Sequence, residues 1–222
     1  SSNFSLFNFL ENKKMEKKIL RFDSKLTSIK FVKKIQKTLD SGQIKITSNS
    51  RILIDQIFNY PETNKLNEAF LIQNKYASQT ALQKIKLIKK KINNFDYYIV
   101  TSPESVCWLL NLRGTDLNYT PVVMSRLIIL KSGKINLYID KRKLSNQIIL
   151  FFKRLKISIF PEDKIYEDIK NLRRNSDVFL DGDSTFFFYS EMKKKVRLKL
   201  INDFCKLQKS QKNAAELSNI KN

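Results

Sequence analysis

The chain has no histidine anywhere in its 222 residues. Ser-His-Asp and Cys-His catalysis, the H-E-x-x-H zinc site and any His-bearing transition-metal site are thereby excluded from it. Cysteine is almost as scarce. Cys107 and Cys205 stand far apart, form no C-x-x-C, and read as reduced thiols of a cytosolic protein. Only four glycines and one tryptophan occur. No apolar run reaches the roughly 18 residues of a transmembrane helix. The opening, Ser1-Ser2-Asn3-Phe4, has neither an initiator Met nor a signal-peptide pattern. There is no internal repeat and no low-complexity segment.

Acidic residues are also in the minority, 21 against 42 Lys and Arg, for a net charge of +21. Such a surplus attracts phosphate backbones without reading their sequence. Its make-up points elsewhere. There are 33 Lys but 9 Arg, and Ile (25) and Asn (20) are in excess alongside Lys. Those three amino acids share AT-rich codons, so the skew reads as genome base composition spread over solvated helix faces. Arg, the better ligand for phosphate and base edges, is the scarce one. Hydrophobic residues make up 42% of the chain. That is enough to build a core in one large domain or two modest ones.

Periodicity predicts alternating strands and helices. Strands are expected at 17–22, 43–47, 96–102, 122–130, 134–139, 156–160, 177–181 and 196–200. Helices are expected at 26–39, 52–58, 79–93, 103–112, 141–155, 161–174 and 185–194. In the first of these helices Leu26, Ile29, Val32, Ile35 and Leu39 mark the buried stripe. In 79–93 the stripe is Leu82, Ile85, Ile88 and Ile92, and the lysines mark the wet face. Lys131-Ser132-Gly133 is a hairpin turn between two strands. The polar stretch 60–68 reads as an interdomain connection. The class is α/β with a mixed sheet. Both ends read as cut: 4–18 as the tail of a helix, and 210–222 as a helix, started by a Ser210 cap, that runs off the end.

The stretch richest in chemistry is 108–121. It holds the only tryptophan, Trp108, with Asn111, Arg113, Gly114, Asp116, Tyr119 and Pro121. By themselves the residues read as a helix ending on a Gly114 cap, with Gly114 allowing a sharp turn, Arg113 paired with Asp116 and Trp108 in the core. The loop Asp181-Gly182-Asp183-Ser184 lacks the further ligand spacing of a calcium site and reads as a strand-end turn. Phe186-Phe187-Phe188-Tyr189 reads as packing against a sheet rather than as base-stacking surface. Cys107 has no base nearby in sequence and reads as an inert thiol.

The segment WLLNLRGTDLNYTPVV resembles the W-L-x-N-[IL]-R-G-x-D-[ILV]-x-Y-x-P-V signature of the larger Xaa-Pro aminopeptidases, members of the creatinase/prolidase-like "pita-bread" metallopeptidases. DYYIVTSPESVCWLLNLRG, INLYID with KRKL, ILIDQIF with YPE, QNKYASQTALQKIKLIKKKI and CKLQKSQKNAAELSNIKN resemble further stretches of that family in order. The likeness covers roughly 20–222. Departures are Ala77-Ser78 for the usual Ala-Gly, Gln208-Lys209-Ser210 near the usual Lys-Ala-x-Lys, and Arg126 where an aromatic is common.

The resemblance implies a creatinase/prolidase N-terminal-type mixed-sheet α/β fold. It implies three parts: 1–73 as the C-terminal part of a first amino-terminal domain, 74–204 as the second such domain, and 205–222 as the start of a pita-bread catalytic domain. In that family two divalent metal ions, usually manganese, sit on two Asp, two Glu and one His of the catalytic domain. A chain without His cannot hold that complete set, so no catalytic or metal residue is expected here. The resemblance further implies a cytoplasmic homodimer acting on peptides with proline at the second position, with no membrane or nucleic-acid partner. Arg113, with Asn111 and Asp116, is the substrate-contact candidate. Trp108, Gly114, Tyr119 and Pro121 are the structural frame of the motif. Two alternatives remain open: a stand-alone basic interaction module that binds nucleic acid, and a prolidase- or creatinase-like hydrolase of the same superfamily.

Overall fold

The computed structural model describes residues 6–10, 18–39, 45–49, 57, 67–77, 79–92, 94–212 and 217–218. The chain divides into two compact units, 1–63 with 182–190, and 64–181 with 191–222.

In the first unit, strands β1 (Ile19–Asp23) and β2 (Lys45–Asn49) pair in parallel, with helix Ile29–Thr38 between them in sequence. The helix starts at Ile29 because the Ser28 hydroxyl accepts the Phe31 N–H at 3.2 Å. That start leaves Leu26 in the preceding turn, 72% exposed, and not on the buried stripe expected of it. Ile29, Val32, Ile35 and Leu39 are buried as expected. The chain returns at 182–190, where Ile29 N–H donates to Ser184 O and Phe186 N–H to Thr27 O. Phe186, Phe187 and Phe188 are buried there, with Phe186 edge-on to Phe22 at 5.3 Å. The helix expected at 52–58 and most of the connection at 60–68 lie outside the described residues.

The second unit is built on six strands: β4 (Tyr97–Val100), β6 (Ser125–Leu130), β7 (Ile135–Ile139), β8 (Ile157–Phe160), β9 (Asp177–Asp181) and β10 (Arg197–Ile201). Their order across the sheet is β10-β9-β4-β6-β7-β8. β10, β9 and β4 run parallel, β6 is antiparallel to both its neighbours, and β7 and β8 run parallel. This is the expected mixed sheet, and Lys131–Gly133 makes the expected turn, with Gly133 at φ 89°.

Alternate residues feed opposite faces. Tyr98, Val100, Leu127, Ile129, Leu137, Ile139 and Phe179 join one core with helices Ala81–Lys91, Pro103–Leu110 and Asn146–Arg154. On the other face the Tyr138 hydroxyl donates to Asp168 of helix Lys164–Lys170 at 2.6 Å. A sheet covered on both sides needs continuous apolar strands such as VFL and LII, and these are what the sequence holds.

Three boundaries differ from expectation. The 141–155 region splits into a 3-10 turn, Lys141–Lys143, and a helix that begins after its Ser145 cap. The 103–112 helix stops at Leu110, and Leu112–Arg113 (β5) pairs antiparallel with Phe70–Leu71 (β3). Ser210 closes helix Phe204–Ser210. Of the helix expected beyond it, only 217–218 lie among the described residues.

Candidate functional site

The site is assembled around the end of helix Pro103–Leu110. Ser102 caps its start and Pro103 occupies its first turn. Its end is set by Asn111, which adopts the left-handed conformation at φ 54°. Asn tolerates that region better than most residues, and here every polar group of it is used. Its Nδ2 donates to Gln79 O at 2.9 Å, its Oδ1 accepts from Lys84 Nζ at 2.7 Å, and its carbonyl accepts the Ile72 N–H at 2.8 Å. The helix cap is therefore Asn111 and not Gly114. Gly114 is needed for a different reason. A Cβ there would lie 2.4 Å from Val123 Cγ2, and Val123 is fully buried. Its φ is not in the left-handed region, so the backbone conformation itself does not call for glycine.

Lys84 is the residue that periodicity misplaced. It is 4% exposed, on the helix whose lysines were expected to face water, whereas Leu82 is 46% exposed. The Thr80–Gln83 capping box sets the phase of helix Ala81–Lys91, turning Ala81, Lys84, Ile85 and Ile88 inward. The ammonium donates to Trp108 O at 2.9 Å as well as to Asn111, and sits 4.6 Å from the Trp108 ring centroid. No sequence signal marks a lysine whose partners are a carbonyl and an amide 24 and 27 positions away. Lys89, from the same run, donates to Gly133 O at 2.6 Å.

Arg113 and Asp116 share the loop but do not form the expected pair. Arg113 Nη1 donates to Cys107 O at 3.0 Å and Leu112 O at 2.8 Å. The Asp116 carboxylate accepts from Lys143 Nζ and from Met124 N–H, both at 2.7 Å. The reason is positional. β5 carries Arg113 back toward its own helix, while the Lys141–Lys143 turn delivers a cation beside Asp116. Trp108 is core, as expected. Tyr119 is fully exposed at φ 61°, at the tip of a turn closed by the Leu117–Thr120 bridge, and Pro121 follows it on the surface. A cleft of about 400 Å³ opens beside Asn111, walled by Leu71, Ile72, Leu82, Phe151 and Leu155.

The two thiols are sealed. Burial, above all, pushes the Cys107 and Cys205 thiols above their ordinary value of 9.0. Burial likewise raises Tyr98 and Tyr138 above 10.0. Groups held neutral by the fold stabilise it fully below the unfolded-state values. Above them the unfolded chain loses protons that the folded one keeps, so stability falls as pH rises. The melting temperature is expected to be level up to about pH 8.5 and to drop steadily beyond it. Both cysteines should react with a disulfide reagent at pH 8 only as fast as the chain unfolds. A melting temperature that holds through about pH 10 would contradict this.

Among the described residues, no three His, Cys, Asp or Glu side chains come together as a metal site. Asp181 and Asp183 are engaged separately, by Lys206 at 2.8 Å and Lys30 at 2.9 Å. The family model described as "Creatinase/Prolidase N-terminal domain" matches residues 59–216.

The chain belongs to the creatinase/prolidase N-terminal domain family. Xaa-Pro aminopeptidase 1 of Dictyostelium discoideum is 28% identical over 205 residues, covering 88% of this chain and 31% of that protein. Xaa-Pro aminopeptidase ApepP of Drosophila melanogaster is 25% identical over 205 residues, covering 88% and 33%. The chain thus spans about a third of the length of these relatives. The solved X-prolyl aminopeptidase of Caenorhabditis elegans is described as a cytosolic enzyme with a di-nuclear active site. It matches with a TM-score of 0.85 at 21% identity, over 97% of this chain and 36% of its own. That likeness establishes the creatinase N-terminal mixed α/β fold. Within this family member, the motif's Asn111, Trp108 and Asp116 are tied into the scaffold, and Arg113 is the motif cation left partly exposed.

Proposed function

We propose that this chain is the non-catalytic amino-terminal portion of a metal-dependent aminopeptidase that removes an N-terminal residue preceding proline. The carrying observation is the likeness to Xaa-Pro aminopeptidases over 88% of the chain. On this reading 1–73 belong to a first amino-terminal domain, 74–204 form a second, and 205–222 begin the catalytic domain. The parent enzyme is a cytoplasmic homodimer with two divalent metal ions, manganese by family resemblance. The residues of this chain do not fit that metal pair, with no His and no ligand cluster among the described residues. No step of metal chemistry therefore belongs to them.

Their contribution is a cleft wall, a limit on peptide length, and dimer contacts. Arg113 holds a peptide carboxylate or carbonyl, with Asn111 fixing the helix end beneath it and Asp116 fixing the following loop. An arginine whose Nη1 is anchored on two backbone carbonyls loses little side-chain freedom when it binds.

The test uses the protein expressed from the whole reading frame and loaded with manganese. It should release the first residue of an Xaa-Pro tripeptide, and absence of release would sink the assignment. Arg113→Ala should then raise KM about tenfold with kcat little changed. Unchanged kinetics with a lowered melting temperature would make Arg113 a loop anchor only.

A further inference from the structure

Strand β8, Ile157–Phe160, is an edge of the six-stranded sheet and pairs, among the described strands, with β7 alone. An edge strand turns half of its backbone N–H and C=O groups outward. Apart from the pairing with β7, no described residue hydrogen-bonds to the backbone of 157–160. Two clefts lie along this edge. One, of about 510 Å³, is lined by Lys134, Lys141, Lys153 and Lys156 over Ile149 and Ile157, toward the start of the strand. The other, of about 440 Å³, is lined by Asp140, Glu162 and Asp163 with Phe160 and Pro161, toward its finish. Lys141 and Ile159 line both, so the two clefts form one channel, basic at one end and acidic at the other. The four ammonium groups and the carboxylates of Glu162 and Asp163 make no hydrogen bond or ion pair with another described residue. Asp163 stands at the cap position of helix Lys164–Lys170 without making the cap hydrogen bond.

We infer that this channel is a binding site for a short linear peptide with free ends, lying antiparallel to β8 as an added strand. Charge fixes the direction. The peptide's α-ammonium sits beside Glu162 and Asp163, and its α-carboxylate, with an acidic last side chain, sits among the lysines. The parallel direction sets like charges together at both ends and is rejected. A polyanion such as a nucleic acid satisfies the lysines but meets the carboxylates, whereas a peptide carries both signs. The four residues of β8 span about 13 Å at about 3.3 Å each, so about five peptide residues reach from one cleft to the other. Alternate side chains of the added strand fall on the side of Ile149, Ile157 and Ile159, which calls for apolar residues there. The site uses none of the residues given a part in the proposed function. Its test reads binding of a peptide without proline, so either reading can fail while the other stands.

The test is isothermal titration calorimetry of the 222-residue chain with the peptide Ala-Val-Thr-Val-Glu. A dissociation constant of roughly 10–100 μM is expected at about 50 mM NaCl, weakening several-fold toward about 0.5 M salt as the charges are screened. Acetylating the amino end should weaken binding about tenfold, and so should the neutral carboxyl end of Ala-Val-Thr-Val-Gln-amide. Glu162→Lys should weaken the free peptide about tenfold but change the acetylated one by less than about twofold, because the charge it addresses is already gone. Lys156→Glu should stand in the same relation to the peptide with the neutral carboxyl end. Methylating the backbone nitrogen of the first Val or of Thr, one at a time, should abolish binding in one case, that of the N–H facing β8. Circular dichroism of each variant checks that the fold is kept, and the altered peptides test the same points on the unaltered chain. No binding at up to about 1 mM peptide overturns the inference. So does acetylation without effect, which would mean a groove for anions only. Binding indifferent to both methylations overturns it too, since the peptide would then not be an added strand.

Discussion

Lys84→Met is expected to destabilise the second compact unit by about 2–4 kcal/mol, lowering its melting temperature by roughly 5–15 °C. The side chain is buried among Trp108, Asn111 and the helix it stands on, and methionine fills nearly the same volume. The loss is therefore electrostatic, not a cavity. The Trp108 carbonyl loses its charged donor and keeps only the Asn111 N–H at 3.4 Å, the Asn111 amide oxygen loses its donor outright, and an acceptor orphaned where water does not reach costs about 1–3 kcal/mol. Lys84→Arg should not rescue it, because a planar fork cannot replace a compact ammonium between two acceptors and an indole ring. Thermal melts of Lys84→Met, Asn111→Ala and the pair would form a cycle. The double variant should be less destabilised than the sum of the singles. A melting temperature within about 2 °C of the original for Lys84→Met would show that the buried ammonium contributes nothing. The same substitution should also loosen the backbone carrying Arg113, since Asn111 sets where β5 begins.

Asp203→Ala is expected to cost a similar amount, about 2–4 kcal/mol. Asp203 caps helix Phe204–Ser210, accepting the Cys205 N–H at 2.8 Å, and accepts a hydrogen bond from the hydroxyl of Tyr98 on β4. Tyr98 in turn accepts the Phe204 N–H at 3.2 Å. Tyr98, Asp203 and Cys205 are all buried. The alanine variant removes the cap, worth about 1 kcal/mol, and strands a buried hydroxyl, worth about 1–3 kcal/mol. Tyr98→Phe in the same background removes the stranded group and should recover part of the loss. If the double variant is as unstable as the sum of its parts, the two residues are not coupled and the network has been misread. This contact docks helix Phe204–Ser210 onto the sheet, so hydrogen exchange in 204–210 should rise in Asp203→Ala before the rest of the unit is affected.

Much of this architecture could be read along the chain. Tyr97–Val100, Ser125–Leu130 and Asp177–Asp181 are short apolar runs, and a mixed sheet buried on both faces is what such runs make. Lys131–Gly133 marks its hairpin because glycine is the residue that enters φ > 0 without penalty. The Trp108–Pro121 segment was recognisable as a motif, and Trp108, Asn111, Arg113 and Asp116 do meet around one helix end. Their partners were not legible. Arg113 and Asp116 are three apart and of opposite sign, which suggests a pair, yet the loop separates them and Lys143 takes the carboxylate. Proximity in sequence predicts proximity in space only along a regular element, and this stretch changes from helix to strand to loop within a few residues.

Composition and pattern by themselves determined the α/β class and the absence of any His-dependent chemistry from these residues. They did so because hydrophobic period and residue inventory are properties of the chain before it folds. Tertiary structure alone decided that Lys84 lies inside, that Asn111 and not Gly114 ends the helix, that Gly114 makes room for Val123, and that β8 and β10 are the edge strands of the six-stranded sheet. Each of these depends on what another segment, tens of residues away, brings to the same place. A lysine is buried only when distant carbonyls offer to replace its water, and an edge exists only once the order of strands is set.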